Sequence, residues 1–146
     1  MQYYSIQHTS ELLEIPKDTL RYYDKLRLVS PSRNENSYRC YSEQDLLDLK
    51  YLEAMKYADF TLSEIRKFFA IQRALPSSED CEIIERLFED KKGGYRQKIK
   101  TYRAMIKLVD KILEEKNQTS QPDEMEKANE LLISIFQEIR NVQHAK

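Results

Sequence analysis

The segment Pro16-Lys17-Asp18-Thr19-Leu20-Arg21-Tyr22-Tyr23-Asp24-Lys25-Leu26 decides how this chain folds. As a helix that begins near Pro16, a residue suited to the first helical position, it has two different faces. Apolar residues recur every three positions on the side that can pack against a core: Leu20, Tyr23 and Leu26. Cations recur every four positions on the other side: Lys17, Arg21 and Lys25. This outward row of cations, next to Tyr22, suits a phosphate backbone and a major groove.

An ordinary amphipathic surface helix would also explain three basic residues. The segments on either side are therefore needed to choose between a surface helix and a DNA-binding helix. On the N-terminal side, Ser5 can cap a helix over residues 6–13. Glu14 and Ile15 then form a turn before Pro16. Two short helices joined by a tight turn, the second cationic on its outer face, predict a helix-turn-helix unit.

On the C-terminal side, residues 33–41 are typical of a small hairpin with its turn over residues 34–37. Because side chains alternate across a strand, Arg39 and Tyr41 share one face of the second strand, opposite Tyr38. A hairpin with an arginine and tyrosines that follows a helix-turn-helix unit predicts a wing, which grips the DNA backbone beside the groove.

Two amphipathic helices complete the first domain. A capping box at Ser42 starts a helix over residues 43–56, and a further helix begins at Thr61 or the next residue. Proline and serines at residues 76–78 then mark a boundary. The sequence therefore predicts a winged helix-turn-helix domain over residues 1–75.

From about Cys81 to Lys116 the pattern predicts one long helix of about 50 Å. An a/d heptad stripe runs along it, interrupted once near Lys91 or Lys92. The stripe comprises Phe88, Tyr95, Ile99, Tyr102, Ile106, Val109 and Leu113. So small a chain has no core that could cover this stripe, which predicts a second copy packed parallel or antiparallel, with coverage by the chain's own C-terminus as the alternative. Residues 76–116 are therefore interpreted as a linker and a coiled-coil dimerisation helix.

The last region, residues 117–146, is predicted to hold a polar loop over residues 117–124 and a short amphipathic helix over residues 123–143. Two interpretations are open for this helix. It folds back on the long helix and completes the dimer core, or it helps to enclose a small-molecule site.

Composition favours a mostly α-helical protein, because only two glycines and four prolines occur in 146 residues. The net charge of −1 gives no overall attraction to nucleic acid. The segment from Lys17 to Arg39, however, contains six basic residues and only three acidic ones. Cys40 and Cys81 do not make a disulfide framework, and neither a signal peptide nor a membrane-spanning apolar run is expected. These observations predict a cytoplasmic protein.

The N-terminal two-thirds of the chain resembles the MerR family of bacterial transcription regulators. The shared motifs keep the family's order and spacing: Tyr4-Ser5-Ile6, residues 19–26 with Leu28, Pro31, Arg33, Tyr38-Arg39-Cys40-Tyr41, Asp45-Leu46 and Phe60-Thr61-Leu62-Ser63-Glu64-Ile65. The resemblance implies a dimer held by an antiparallel coiled coil, with a winged helix-turn-helix at each N-terminus. It further implies binding to palindromic promoter elements set too far apart, and an effector that lets the dimer bend and untwist this DNA for RNA polymerase.

The residue pattern and the resemblance together assign DNA contacts to the second helix, the wing and the end of the third helix. The predicted contacts are Lys17, Arg21, Tyr22, Lys25, Arg33, Tyr38, Arg39, Tyr41 and Lys56. The chain departs from the family at four glycine positions, where it has Glu14, Arg27, Ser37 and Asp59. Since positive φ is costly for residues other than glycine, these positions question whether the family's backbone conformation is kept.

Metal-sensing relatives carry a cysteine at the start of the dimer helix, where Cys81 stands, and a cysteine pair in the loop that follows. Residues 114–124 contain neither cysteine nor histidine, and soft metal ions need several thiolates. No metal site and no cofactor are therefore predicted. The effector is expected to be a small organic molecule, if there is one.

Two other classes of function were weighed. An enzyme is not expected, because the chain lacks nucleophile–histidine constellations, a glycine-rich phosphate loop and clustered acids. A coiled-coil adaptor whose winged-helix domain binds protein is the alternative function. Such an adaptor has no need to align Lys17, Arg21 and Lys25 in one outward row.

Overall fold

A computed structural model describes residues 2–117 and 122–144 of the chain. The elements, in chain order, are β1 (Tyr3–Ser5), α1 (Ile6–Leu13), α2 (Lys17–Lys25), β2 (Ser32–Arg33), β3 (Arg39–Ser42), α3 (Glu43–Tyr57), α4 (Leu62–Arg73), α5 (Ser78–Asn117) and α6 (Pro122–His144). By its internal contacts the chain divides into two compact units, Met1–Ile84 and Glu85–Lys146. The division into three regions made from the sequence remains a prediction. No helix in the described ranges is both long and apolar enough to cross a membrane.

A three-stranded antiparallel sheet in the order β1-β3-β2 lies in the first unit. The hairpin of β2 and β3 confirms the wing's secondary structure, with Arg33 opposite Arg39. The strand β1 was not among the elements predicted from the sequence. Tyr4 pairs with Tyr41, and the two tyrosines of β1 are the β-forming signal that the sequence offered.

Side-chain caps set where the helices begin. Ser5 accepts the His8 amide at the start of α1, and Ser42 with Asp45 forms the predicted capping box of α3. A further box joins Ser77 and Asp80, so that α5 begins at Ser78, three residues before the predicted start. The Ser77 amide that donates to Asp80 lowers the pKa of this carboxyl below its usual 3.8.

The core of the first unit confirms the predicted inward face of α2 and contains one side of α3 and of α4. Leu20 and Tyr23 of α2 are each 1% exposed. They belong to one apolar cluster with side chains of α1, β3, α3 and α4. The fully or nearly fully buried apolar set is Ile15, Leu20, Tyr23, Leu28, Val29, Tyr41, Leu46, Leu49, Leu52, Met55, Ile65 and Phe69. Burial of this set fixes which side of α2 is left facing outward.

In the second unit, α6 packs antiparallel against α5. Leu108 of α5 is buried with Ala128 and Ile135 of α6, and Lys100 lies 3.7 Å from Glu138. The interpretation that α6 folds back on the long helix is thereby confirmed, and its role in a dimer core remains a prediction. Residues 118–121 of the predicted loop lie outside the described residues.

The packed face of α5 is not its heptad stripe. Within the described residues the stripe stays largely uncovered, with Tyr102 62% and Ile106 60% exposed. The helix continues through Gly93 and Gly94, and an added methyl group at either would meet no atom of this chain within 4 Å. Nothing in the described chain therefore requires these glycines.

Four residues have positive φ without being glycine: Glu14 (55°), Arg27 (55°), Ser37 (62°) and Asp59 (61°). These are the four positions where the resemblance expects glycine. Three of them end helices. After α2, the Leu28 amide donates to the Tyr23 carbonyl (3.0 Å) and the Arg27 amide to the Asp24 carbonyl (2.9 Å), which is the Schellman pattern. The backbone conformation is thus kept, and the side chains bear its steric cost.

Replacing Arg27 with glycine should therefore stabilise the protein. Relief of the left-handed strain, about 1–2 kcal/mol, exceeds the extra entropy that glycine loses on folding, about 0.5–1 kcal/mol. We expect Arg27→Gly to raise the urea midpoint by the equivalent of about 0.5–1 kcal/mol at equal protein concentration. Arg27→Ala, which keeps the Cβ atom, is the matched control and should not do so. A midpoint for Arg27→Gly below the wild-type value would contradict this account.

Candidate nucleic-acid interface

The outward face of α2 carries the predicted row of cations. Arg21, Tyr22 and Lys25 are exposed and Lys17 is half-buried. Arg21 donates to Asp18 at 2.5 Å, and both side chains of this pair lie in solvent. An exposed ion pair of this kind is worth about 0–1 kcal/mol, so Arg21 can exchange Asp18 for a phosphate at little cost.

Asp24 joins the wing to α2. Its Oδ2 atom accepts from Arg39 Nε at 2.7 Å and from Arg33 Nη2 at 3.0 Å. The Asp24 side chain is only 15% exposed, which makes these charge-assisted bonds stronger than pairs on the open surface. Arg33 and Arg39 therefore fix the hairpin beside the cation row. Sequence reasoning assigned both arginines to DNA and overlooked the carboxylate between them.

The tip of the wing is a three-residue loop with positive φ at its end. The Ser37 amide donates to the Asn34 carbonyl (2.9 Å), and Asn34 Oδ1 accepts from the Tyr38 amide (2.9 Å). Arg33 Nη1 also donates to the Ser37 carbonyl at 3.2 Å, so the same arginine braces the loop and Asp24. Tyr38 stands out from this tip with 70% of its surface exposed.

The position of Tyr41 contradicts its predicted contact with DNA. Its side chain is fully buried in the core of the first unit, so it cannot touch DNA as expected. It shares a strand face with Arg39, and that face is turned toward the core. Within the described chain its hydroxyl has no hydrogen-bond partner, and burial raises its pKa to about 12. The prediction failed because the sequence pattern identified which residues share a face but not which face is buried.

Lys56, predicted as a backbone contact, is held beside α2. Its Nζ donates to the Tyr23 hydroxyl at 2.7 Å and lies 3.8 Å from Glu53, while Tyr23 donates to Glu53. Desolvation and the Glu53 carboxylate raise the pKa of Tyr23 well above its usual value. The Lys56 side chain remains 42% exposed, so its position allows a phosphate contact.

Two arginines of α4 hold the C-terminal end of α2, and sequence reasoning gave them no role. Arg66 Nη2 donates to the Leu26 carbonyl at 2.8 Å, and Arg73 Nη2 donates to the Leu28 carbonyl at 3.1 Å. Arg73 also pairs at 2.8 Å with Asp48, a carboxylate buried in α3. Cations at these terminal carbonyls favour the helix dipole and fix the direction in which α2 points. In the sequence Asp48 lies between Leu47 and Leu49, but no local pattern indicated its pairing with Arg73.

The described residues offer no metal-binding constellation. They contain no group of three or more His, Cys, Asp or Glu side chains that could hold an ion. Cys40 is a half-buried free thiol and Cys81 an exposed one.

The variant Tyr41→Phe tests whether Tyr41 is only a core residue or also contacts DNA. Removal of an orphaned buried hydroxyl should leave stability unchanged or raise it by about 1 kcal/mol, with DNA affinity unaltered. Folding raises the pKa of Tyr41 from 10.0 to about 12, so its contribution to stability is complete below pH 10 and is lost as the pH rises toward 12. Urea unfolding should thus show a smaller loss of stability over this range for the variant. Weaker DNA binding by Tyr41→Phe would restore the original assignment.

The sequence was compared with protein families and with known proteins. The family described as "MerR HTH family regulatory protein" matches residues 4–71. The chain is 26% identical over 110 residues to the HTH-type transcriptional regulator ZntR of Escherichia coli, covering 75% of this chain and 77% of that protein. It is 40% identical over 58 residues to the mercuric resistance operon regulatory protein of Bacillus cereus, covering 39% of this chain and 44% of that protein.

A solved structure shares the fold. HiNmlR, described as a MerR family regulator lacking the sensor domain, bound to promoter DNA, superposes with a TM-score of 0.67 at 23% identity. The match covers 82% of this chain and 97% of that one. The matched residues 4–71 contain the helix-turn-helix, the wing and most of α4 of the first unit. Residues 4–71, in the first unit, therefore form a domain that matches the MerR family of transcription regulators.

Proposed function

We propose that this protein is a homodimer that binds a palindromic promoter element and alters the conformation of that DNA in response to an effector, so that RNA polymerase can engage. The observation that carries the proposal is the exposed cation row of α2, fixed beside a wing by Asp24. Major-groove entry by α2 and backbone contact by the wing follow from this arrangement. Promoter DNA lies in the cytoplasm, where we place the protein.

The proposed DNA contacts fall into two groups. Lys17, Arg21, Tyr22 and Lys25 on α2 face the groove and its phosphates, and Tyr38 at the wing tip reaches the backbone beside it. Lys56, Arg33 and Arg39 are anchored to acidic or hydroxyl groups of the first unit. These three add positive charge to the surface, and their bonds also position it.

Dimerisation is supported by the uncovered heptad stripe of α5. Ile99, Tyr102, Ile106, Val109 and Leu113 are each about half exposed or more, although α6 packs on another face of the same helix. A stripe of this length in water is unfavourable and is relieved by a second copy. We propose the antiparallel arrangement that the resemblance implies, with Phe88 and Tyr95 completing the stripe.

A protein-binding adaptor is the competing function. An adaptor surface would gain from exposed apolar or aromatic anchors in a connected patch. The exposed face of α2 carries cations at regular spacing instead, and its acids Asp18 and Asp24 are paired with Arg21 and with the wing arginines respectively. These features favour DNA over a protein partner.

The Asp24 interaction should govern specificity more than affinity. In Asp24→Asn the surface gains positive charge while the wing loses its anchor, so affinity for random duplex should rise or hold. Loss of two charge-assisted bonds should lower the ratio of promoter to random-duplex affinity about tenfold. Fluorescence anisotropy with both duplexes measures the ratio. Asp18→Asn, which removes an acid from an exposed pair on the same helix, is the control and should keep the ratio; retention of the ratio in Asp24→Asn would contradict the positioning role.

Two variants should separate dimerisation from DNA contact. Ile106→Glu places a charge in the stripe and should give monomers by light scattering, with promoter affinity lower on the order of 100-fold through loss of the second site. Arg21→Gln should remain dimeric yet bind the promoter about tenfold more weakly. Ser134→Glu, which adds the same charge to an exposed position of α6, should change neither property. A dimeric Ile106→Glu, or wild-type affinity in Arg21→Gln, would refute the respective assignment.

A further inference from the structure

The second unit carries its own concentration of positive charge, apart from the DNA-binding surface. Between residues 91 and 111 stand eight basic residues and a single acid, Asp110. The basic residues are Lys91, Lys92, Arg96, Lys98, Lys100, Arg103, Lys107 and Lys111. Like charges four positions apart on a helix, such as Arg96 and Lys100, destabilise it. Since the whole chain has a net charge of −1, this excess is local and calls for a counter-charge.

Four of these cations line a groove of about 620 Å³ formed by α5 and α6. They are Arg96, Lys100, Arg103 and Lys107. The remaining wall is apolar and consists of Ile99 and Ala104 of α5 with Leu131 of α6. The volume lies in the range of small-molecule sites, and the lining combines one strip of charge with one apolar strip.

The cation strip lies on a flank of α5 that neither packed face uses. With about 100° of rotation per residue, Arg103 and Lys107 fall between the heptad stripe at Tyr102 and the α6-facing side at Ala104 and Leu108. A partner helix on the stripe and α6 on the opposite side would both leave this flank open. In the proposed dimer the partner copy would cover Ile99, which belongs to the stripe, and would leave the cations of the groove open.

These cations are also poorly neutralised. Among the residues that the structure describes, Lys100 approaches Glu138 at 3.7 Å, and Arg96, Arg103 and Lys107 have no carboxylate within ion-pair distance. In the first unit, by contrast, Arg39 and Arg73 are committed to carboxylates at 2.7 and 2.8 Å. The charge in the groove is thus available to a ligand.

We propose that this groove binds an amphipathic organic anion, a carboxylate or phosphate ester with an apolar body, as the effector of the regulator. The anionic group pairs with Lys100, Arg103 and Lys107, and the apolar body lies on Ala104 and Leu131. Binding neutralises the repulsion along α5 and so stabilises the second unit. Only the role as effector rests on the proposed function; the binding itself does not.

The test uses the full-length protein and decanoate, a ten-carbon carboxylate, in isothermal titration calorimetry without DNA. Wild type should bind decanoate. It should bind inorganic phosphate and decanol at least about tenfold more weakly, because phosphate lacks an apolar chain and decanol lacks a negative charge. The double variant Lys100→Gln/Lys107→Gln should lose about tenfold in decanoate affinity. The control Lys50→Gln/Lys67→Gln removes two exposed lysines from the first unit and should bind decanoate as wild type does.

Several results would overturn the proposal. These are no decanoate binding by wild type, equal affinity for inorganic phosphate, or equal decanoate affinity in the Lys100/Lys107 variant. Weaker binding of a random duplex by that variant would assign the groove to DNA instead. Promoter binding measured without decanoate keeps the two proposals apart: decanoate binding without promoter binding refutes the proposed function alone, and promoter binding without decanoate binding refutes the groove alone.

Discussion

The geometry of the proposed DNA-binding surface depends on Asp24, a single carboxylate that accepts from both wing arginines. Without it, two guanidinium groups would repel each other and the hairpin would have no polar tie to α2. With it, the wing and the cation row form one surface of fixed spacing. The Asp24 carboxylate is thereby neutralised inside the protein, which limits its effect on the positive field of the outward row.

A second layer of contacts fixes α2 itself. Tyr23, on the buried side of α2, forms hydrogen bonds with Lys56 and Glu53 of α3. Arg66 and Arg73 of α4 donate to the backbone carbonyls at the C-terminal end of α2. Two of these contacts join the helix to α3, and the other two join its C-terminal end to α4. The helix α2 thus has its orientation set from within the first unit, while its outer side chains lie at the surface.

The sequence predicted the helices well because their periodicity and capping signals are local. Ser5, Ser42 and Thr61 begin helices where expected, and the apolar spacing of α3 and α4 identifies their buried sides. The four left-handed positions were also identifiable, since the resemblance expects glycine at Glu14, Arg27, Ser37 and Asp59. What the sequence could not supply were the pairings between distant residues. Asp24 with Arg39, or Arg73 with Asp48, depends on tertiary packing that no local pattern encodes.

Tyr41 and the groove on α5 show two further limits. Alternation along β3 placed Arg39 and Tyr41 together correctly, yet the third strand, β1, and the core beneath decide that this side is inward. The basic flank of α5 was visible in the sequence as a count of charges, but its significance appeared only once α6 was seen to pack beside it. In both cases the missing information was which neighbour covers a face.

The most direct test of the central claim is the salt dependence of promoter binding by the wild-type dimer. If Lys17, Arg21 and Lys25 of both protomers contact phosphates, about six counterions are released. A plot of log affinity against log salt concentration should then have a slope of about −5. A slope near zero would show that the outward row of α2 does not lie on DNA, and would contradict the account.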